Sequence, residues 1–255
     1  MSTDPTIPPF DSAKFKLACR DCTLFELCLP VGIDDSDLDL LERIIKRRRP
    51  VQRGEYLFQM GQRFESIYAV RSGSVKTYTL TEDGREQVTG FHLPGELVGL
   101  DAISRDQHTC TAKALETTSV CEVPYVQLEG LWTAIPSLPR QLVRIMSKEV
   151  LHDQTLMMLL GKKTAEERLA SYLLSVSTRL GQRGFSYQEF NLSMSRNDIG
   201  NYLGLAVETV SRLFTRFQDD NILTVQRRNV RIHDLDALRR IASYQELPPA
   251  RQHPD

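Results

Sequence analysis

The chain has 255 residues, 41% of them hydrophobic and 25% charged, which is ordinary for a globular protein and leaves room for two modest domains or one large one. No apolar run approaches the ~20 residues that span a bilayer, and the N-terminal MSTDPTIPPF lacks the basic and apolar regions of a secretory leader, so no membrane partner and a cytoplasmic location are expected. A net charge of −1 conceals a division: Lys+Arg against Asp+Glu is 18 to 22 over residues 1–161 and 14 to 11 over 162–255, leaving −4 and +3, so the second part suits a polyanion better.

Residues 1–33 form a Pro-rich arm without periodicity that something must hold in place, and Cys19, Cys22 and Cys28 lie within it. Five cysteines are an odd number, poorly suited to a secreted disulfide framework, and in a reducing compartment clustered thiols bind metal or do redox chemistry. Cys19-x2-Cys22-x5-Cys28 supplies three ligands, and Cys110 and Cys121 are the candidates for a fourth. Four thiolates suit a tetrahedral zinc or a [4Fe-4S] cluster. The spacing leaves both open, although structural zinc commonly uses two Cys-x2-Cys knuckles and this stretch has one.

Residues 34–138 read as the domain that follows the arm. From Val51 to about Pro124, short alternating runs (SIYAVRSG, SVKTYTLT, EQVTGFHL) are punctuated by glycines, with TEDGRE as a hairpin tip, which predicts an antiparallel sandwich or jelly roll. Residues 139–161 predict a helix with Leu142, Met146, Val150, Met157 and Leu160 on one face and Asp153 on the same seam. Either this is a core helix with Asp153 at its edge, or it is a dimer helix whose paired carboxylates repel and weaken association.

Residues 162–245 begin with the capping-box pattern Thr164-Ala-Glu-Glu167 and a helix running to Gly181, before a tail at 246–255. In SRNDIGNYLGLAVETVSRLFTRFQDD, Ser195 and Asp198 start a helix with Ile199, Tyr202 and Leu203 inward, and Gly204 permits the tight turn of a helix-turn-helix. The next helix turns Val210, Leu213, Phe214 and Phe217 one way and Glu208, Ser211, Arg212 and Thr215 the other. Arg pairs with guanine, Glu accepts from cytosine and Ser serves base or phosphate; with the hairpin ILTVQRRNVRIHD and its tip Arg227 and Arg228, these compose a winged helix-turn-helix for double-stranded DNA. No Gly-rich dinucleotide fingerprint is present and the five histidines are scattered, so no enzyme is expected.

The cysteine arm with Cys121 downstream, VTGFHLPGELVG at 88–99, KKTAEERLA at 162–170 and SRNDIGNYLGLAVETVSR at 195–212 resemble the fumarate and nitrate reduction regulators, oxygen-sensing members of the cyclic-AMP receptor protein superfamily. The resemblance covers about residues 17–245. It implies an α+β chain with a cyclic-nucleotide-binding-like jelly roll, a long dimerisation helix and a C-terminal winged helix-turn-helix. It further implies a [4Fe-4S] cluster on Cys19, Cys22, Cys28 and Cys121, a homodimer when the cluster is intact, TTGAT-type half-sites read by Glu208, Ser211 and Arg212, and contact of the tip Thr81 to Glu86 with RNA polymerase. Cys110 matches no family ligand. The superfamily's phosphate cassette is incomplete here: Gly95-Glu96 is present, but Thr109-Cys110-Thr111-Ala112 lacks its arginine, so a cyclic nucleotide is not the expected effector. The reading is an oxygen-responsive regulator of anaerobic gene expression, with a zinc-stapled arm or a small-molecule effector as the alternative.

Overall fold

The computed structural model describes residues 19–242; the first 18 residues of the arm, the last three residues of the expected DNA-binding domain (243–245) and the tail lie outside the described residues. The chain divides into two units, residues 1–153 and 154–255.

The first unit is a sandwich. Its eight strands are β1 (Lys46–Arg47), β2 (Tyr56–Phe58), β3 (Ser66–Ser72), β4 (Val75–Leu80), β5 (Glu86–His92), β6 (Leu97–Val98), β7 (Thr111–Ala114) and β8 (Ser119–Pro124). They pair antiparallel as two four-stranded sheets, β1-β8-β3-β6 and β2-β7-β4-β5. Successive strand residues point to opposite faces, so β3, buried on both sides, serves two cores. Tyr68 and Val70 join Phe58, Val75, Val98, Cys110 and Val120 in one cluster. Ile67 and Ala69 face the other way, into a second cluster.

That second cluster is where helices cover the sheet. It gathers Leu38 and Leu41 of α1 (Asp35–Ile44), Leu128 of α2 (Tyr125–Gly130), and Leu138 and Leu142 of α3 (Ser137–Lys162), together with Leu29 and Ile33 of the arm. Leu38, Leu41, Leu128 and Leu138 are almost wholly buried, each worth ~1.5–3 kcal/mol in apolar transfer. The TEDGRE segment is a hairpin tip as the sequence predicts, closed by the Thr81 N–H donating to the Arg85 carbonyl at 2.9 Å and the Gly84 N–H to the Thr81 carbonyl at 2.8 Å.

The second unit contains the end of α3, then α4 (Ala165–Gly181), β9 (Glu189–Asn191), α5 (Arg196–Leu203), α6 (Val207–Asp219), β10 (Leu223–Gln226), β11 (Asn229–Ile232) and α7 (Leu235–Ile241). The capping box read from the sequence is formed by Thr164 and Glu167 at α4, and Ser195 and Asp198, read as a helix start, form a second at α5. Each joins a side-chain oxygen to an otherwise orphaned helix N–H and returns the favour through the acid. A three-stranded sheet, ordered β10-β11-β9, backs the helices.

Candidate nucleic-acid interface and thiol cluster

Helix α5 seats its inner face through Ile199, Tyr202 and Leu203, all buried. It stops at Gly204, whose φ of +63° and ψ of +39° lie in the left-handed region that glycine enters without a Cβ penalty. The chain then doubles back, with the Leu205 N–H donating to the Gly200 carbonyl at 2.8 Å. Gly200 is a second requirement of the turn, one that hydrophobic periodicity does not announce: a Cβ there would lie 2.7 Å from the Leu205 carbonyl oxygen.

Helix α6 is strongly two-faced. Val210, Phe214 and Phe217 are buried and Leu213 half-buried, while Glu208, Ser211, Arg212 and Thr215 are exposed. Among the described residues neither Glu208 nor Arg212 makes a hydrogen bond or ion pair, so both heads point outward uncommitted, one helical turn apart. Ser211 Oγ and Thr215 Oγ1 donate back to the carbonyls of Val207 and Ser211, at 2.9 and 3.2 Å, leaving their lone pairs outward as acceptors. The Arg196 guanidinium, at the start of α5, lies 3.1 Å from the Phe214 ring centroid, and burial pushes it down to about 10. Strands β10 and β11 meet through the two-residue loop Arg227–Arg228, both exposed, with Arg227 at φ +58°. Among the described residues, Glu208 and Arg212 of α6 and Arg227 and Arg228 of the loop thus present exposed charged side chains without an ion pair.

In the first unit the arm winds in short turns that bring its thiols round. The Cys22 N–H donates to the Cys19 carbonyl and the Phe25 N–H to the Cys22 carbonyl, each at 3.0 Å, and the Cys28 N–H to the Phe25 carbonyl at 3.3 Å. The Cys19 N–H is held by the Glu42 carboxylate of α1. Cys121 of β8 stands opposite Ala69 of β3 and Arg47 of β1; with Cys28 it packs against the helix-covered cluster.

Cys110 belongs to the other side. It is buried between the sheets with Phe58 and Tyr68, and Asp101 is the charge it meets. The two fourth-ligand candidates left open by the spacing therefore lie in different clusters, Cys121 against the helix-covered one and Cys110 in the other. Burial pushes the Cys19 and Cys28 thiols up to about 12, with Glu42 and the neighbouring cysteines adding to Cys19 and the neighbouring cysteines to Cys28. Burial also raises Cys121, against the pull of Arg47 and Arg71. Cys28 and Cys121 pack against one cluster, and the hydrogen-bonded turns of the arm join Cys28 to Cys22 and Cys19. Among the described residues, no three His, Cys, Asp or Glu side chains stand in metal-holding geometry.

On α3, Met146, Val150 and Met157 are exposed at 38–64%, and Asp153 is exposed beside them. Leu160 is half-buried. Leu142, expected on the same seam, is instead buried in the helix-covered core. Val143, Leu151 and Met158 are exposed apolar residues that the stripe read from the sequence did not include. Gln141, buried on the same helix, donates its Nε2 to the Cys28 carbonyl at 3.4 Å, a tie between arm and helix invisible in the sequence.

A β sandwich followed by a long helix and a winged helix-turn-helix with an uncommitted reading face defines a DNA-binding transcription regulator rather than an enzyme. Residues 48–134 match the cyclic nucleotide-binding domain family and residues 167–241 the Crp-like helix-turn-helix domain family. The chain is 54% identical over 216 residues to the transcriptional activator protein Anr of Pseudomonas protegens, covering 85% of this chain and 88% of that one. It is 49% identical over 226 residues to the fumarate and nitrate reduction regulatory protein of Escherichia coli K12, covering 89% and 90%. The solved structure of FixK2 from Bradyrhizobium japonicum superposes with a TM-score of 0.73 at 33% identity, over 80% of this chain and all of that one. The chain belongs to the fumarate and nitrate reduction regulator family of the cyclic-AMP receptor protein superfamily. Among the described residues no helix is long and apolar enough to cross a membrane.

Proposed function

We propose that this regulator responds to oxygen, through a [4Fe-4S] cluster held by Cys19, Cys22, Cys28 and Cys121 that controls dimerisation and thereby operator binding in anaerobic gene expression. The observation that supports the reading is that Cys28 of the arm and Cys121 of β8 pack against the same core, which contains the start of α3, while Cys110 lies in the other cluster. The donor set fits the group. Four sulfur donors are what such clusters take, and bound iron would have to displace the protons that burial holds on Cys19, Cys28 and Cys121. When bound, the cluster supplies the bonds that fasten the arm and a core that oxygen dismantles.

The remaining work falls to the chain. A fastened arm holds Cys28 against Gln141, and Leu29 and Ile33 against Leu142, so it fixes the first turns of α3. Met146, Val150, Met157 and Leu160 then meet a second copy of α3 despite Asp153. The paired heads present Glu208, Ser211 and Arg212 to palindromic TTGAT-type half-sites about one helical turn, ~10 bp, apart. Arg212 reads guanine and Glu208 accepts from cytosine, with Ser211 between them; Thr215, Arg227 and Arg228 hold the backbone. The exposed tip Thr81 to Glu86 is the surface offered to RNA polymerase. Loosening the arm returns the chain to monomers and removes the avidity of two heads.

A cyclic nucleotide is not the proposed effector. Cys110 fills the cassette position where an arginine would pair the phosphate, and Phe58, Tyr68 and Val75 occupy the space between the sheets. Purification without oxygen, followed by an absorbance spectrum and iron and sulfide analysis, tests the proposal. A brown protein with about four iron and four sulfide per chain, dimeric until aired, is expected. A colourless zinc protein, or a metal-free dimer that ignores air, would overturn it.

A further inference from the structure

Several helix ends in the second unit converge on two cations. Arg168 of α4 donates through Nη2 to the Leu160 carbonyl at 2.7 Å, through Nε to the Lys163 carbonyl at 2.9 Å, and through Nη1 to the Leu203 carbonyl at 3.0 Å. Leu160 lies in the last turn of α3, Lys163 follows it, and Leu203 is the last residue of α5. The last carbonyls of a helix have no partner within it and carry the negative end of its dipole, so a guanidinium there meets both needs. Its planar fork answers three carbonyls from two helices at once. Next to it, Lys163 Nζ donates to the Ala242 carbonyl just after α7 at 2.6 Å, and to Ser171 Oγ at 2.9 Å.

Gly204, which ends α5, lies beside this contact: a Cβ there would meet Arg168 Nη1 at 3.5 Å and Leu160 Cδ2 at 3.7 Å, ordinary van der Waals distances. The boundary between the two units falls inside α3, at 153/154, so that helix's last turns belong with the winged helix and not with the sandwich. We propose that Arg168, assisted by Lys163, is the positioning residue that locks the helix-turn-helix to the end of α3, so that the reading head turns with that helix as one body. The proposal rests on the reading above in one respect, that α3 is the dimer helix. Dimerisation then fixes the spacing and facing of the two reading helices, and not merely their number.

The test uses full-length protein purified without oxygen, with Arg168→Met, which removes all three donors, and Arg168→Lys, whose point ammonium cannot span three carbonyls. Sedimentation reads dimerisation, and low-salt titrations read binding to a single half-site, to the native palindrome, and to palindromes with one base pair added or removed. The wild type should prefer its native spacing. Arg168→Met should remain a dimer and bind the half-site as the wild type does, yet bind the palindrome about tenfold more weakly and lose its spacing preference, because loosely held heads lower the effective concentration of the second contact. Arg168→Lys should fall between. Wild-type spacing discrimination in Arg168→Met overturns the proposal. So does equal loss of half-site and palindrome binding in both variants, which would make Arg168 a folding residue only. A wild-type protein that stays monomeric without oxygen overturns the dimer reading itself, and the proposal with it.

Discussion

Replacing Gly200 by alanine sets two forces of opposite sign against each other. Gly200 sits inside α5 with no left-handed φ, so helix propensity alone favours alanine by about 0.8–1 kcal/mol. The added Cβ would lie 2.7 Å from the Leu205 carbonyl oxygen and 3.4 Å from a Val210 methyl, and the first distance is one that real Cβ atoms essentially never show. That oxygen is backbone, in the turn closed by the Leu205 N–H on the Gly200 carbonyl at 2.8 Å, so no side chain can swing away to relieve it. Overpacking of this kind costs ~1–3 kcal/mol, which leaves a net loss of ~0–2 kcal/mol once propensity is credited. At ~4–8 °C per kcal/mol for a unit of ~100 residues, the melting transition of the second unit should fall by up to roughly 15 °C. Operator binding should fall further, because the turn sets the pose of α6. Calorimetry with operator titration is the assay. An alanine variant that is more stable than the wild type and binds DNA normally would refute the close approach and the reasoning built on it. Gly204→Ala is the control: it places the strain in φ, +63°, with no backbone atom nearby, and should cost ~1–2 kcal/mol while largely preserving binding.

Serine at Cys19, Cys22, Cys28 or Cys121 should each abolish cluster assembly, and serine at Cys110 should not; iron retained by Cys121→Ser and lost by Cys110→Ser would reverse the assignment of the fourth ligand. Asp153→Ala removes a repelling carboxylate from the proposed seam, so the aerobic variant should sediment as a dimer and bind operator, and a pure monomer would sink the idea. Arg212→Ala should cost ~1–3 kcal/mol and relax selection at the guanine, whereas loss of Arg227 or Arg228 should weaken every sequence alike and flatten the salt dependence. Titration against single-base operator variants separates the two, and uniform weakening by Arg212→Ala would make Arg212 a phosphate contact.

The elements that the sequence disclosed best are those whose signals are local. Ser195 with Asp198, and Thr164 with Glu167, name helix starts because the capping bond spans three residues, and both boxes are present in the structure. The outward face of α6 is legible for a similar reason, since Val210, Phe214 and Phe217 fix its inner side. What periodicity omits is the identity of whatever covers a face. Leu142 shares the helical spacing of Met146 and Val150, yet it is buried against the sandwich while they stay exposed. Spacing left Cys110 and Cys121 equal, and only the resemblance favoured Cys121; that the two cysteines lie in different clusters depends on how the sheets pack, which no spacing supplies. Arg168 was illegible for a third reason. In KKTAEERLA it looks like one more surface charge, and only the convergence of α3 and α5 gives it three carbonyls to hold.

The proposed switch also constrains how strong the seam can be. Moving an equilibrium from 1:99 to 99:1 takes ~5.5 kcal/mol, and a seam much more stable than that could not be opened by releasing an arm. Met146, Val150 and Met157 are each already partly covered within one chain, so pairing them recovers only part of the ~1.5–3 kcal/mol that full burial of such a side chain brings. Association itself costs several kcal/mol in lost freedom, and two Asp153 carboxylates brought together add to that cost. A seam of this composition therefore sits close to balance. It follows that the arm need not touch the partner subunit at all: by fixing Gln141 and Leu142 it can pre-order the start of α3 and lower the cost of pairing by the few kcal/mol that decide the outcome. Asp153→Ala acts on the same balance from the other side, which is why removing that one carboxylate should offset, in its effect on dimerisation, the loss of the four-cysteine site.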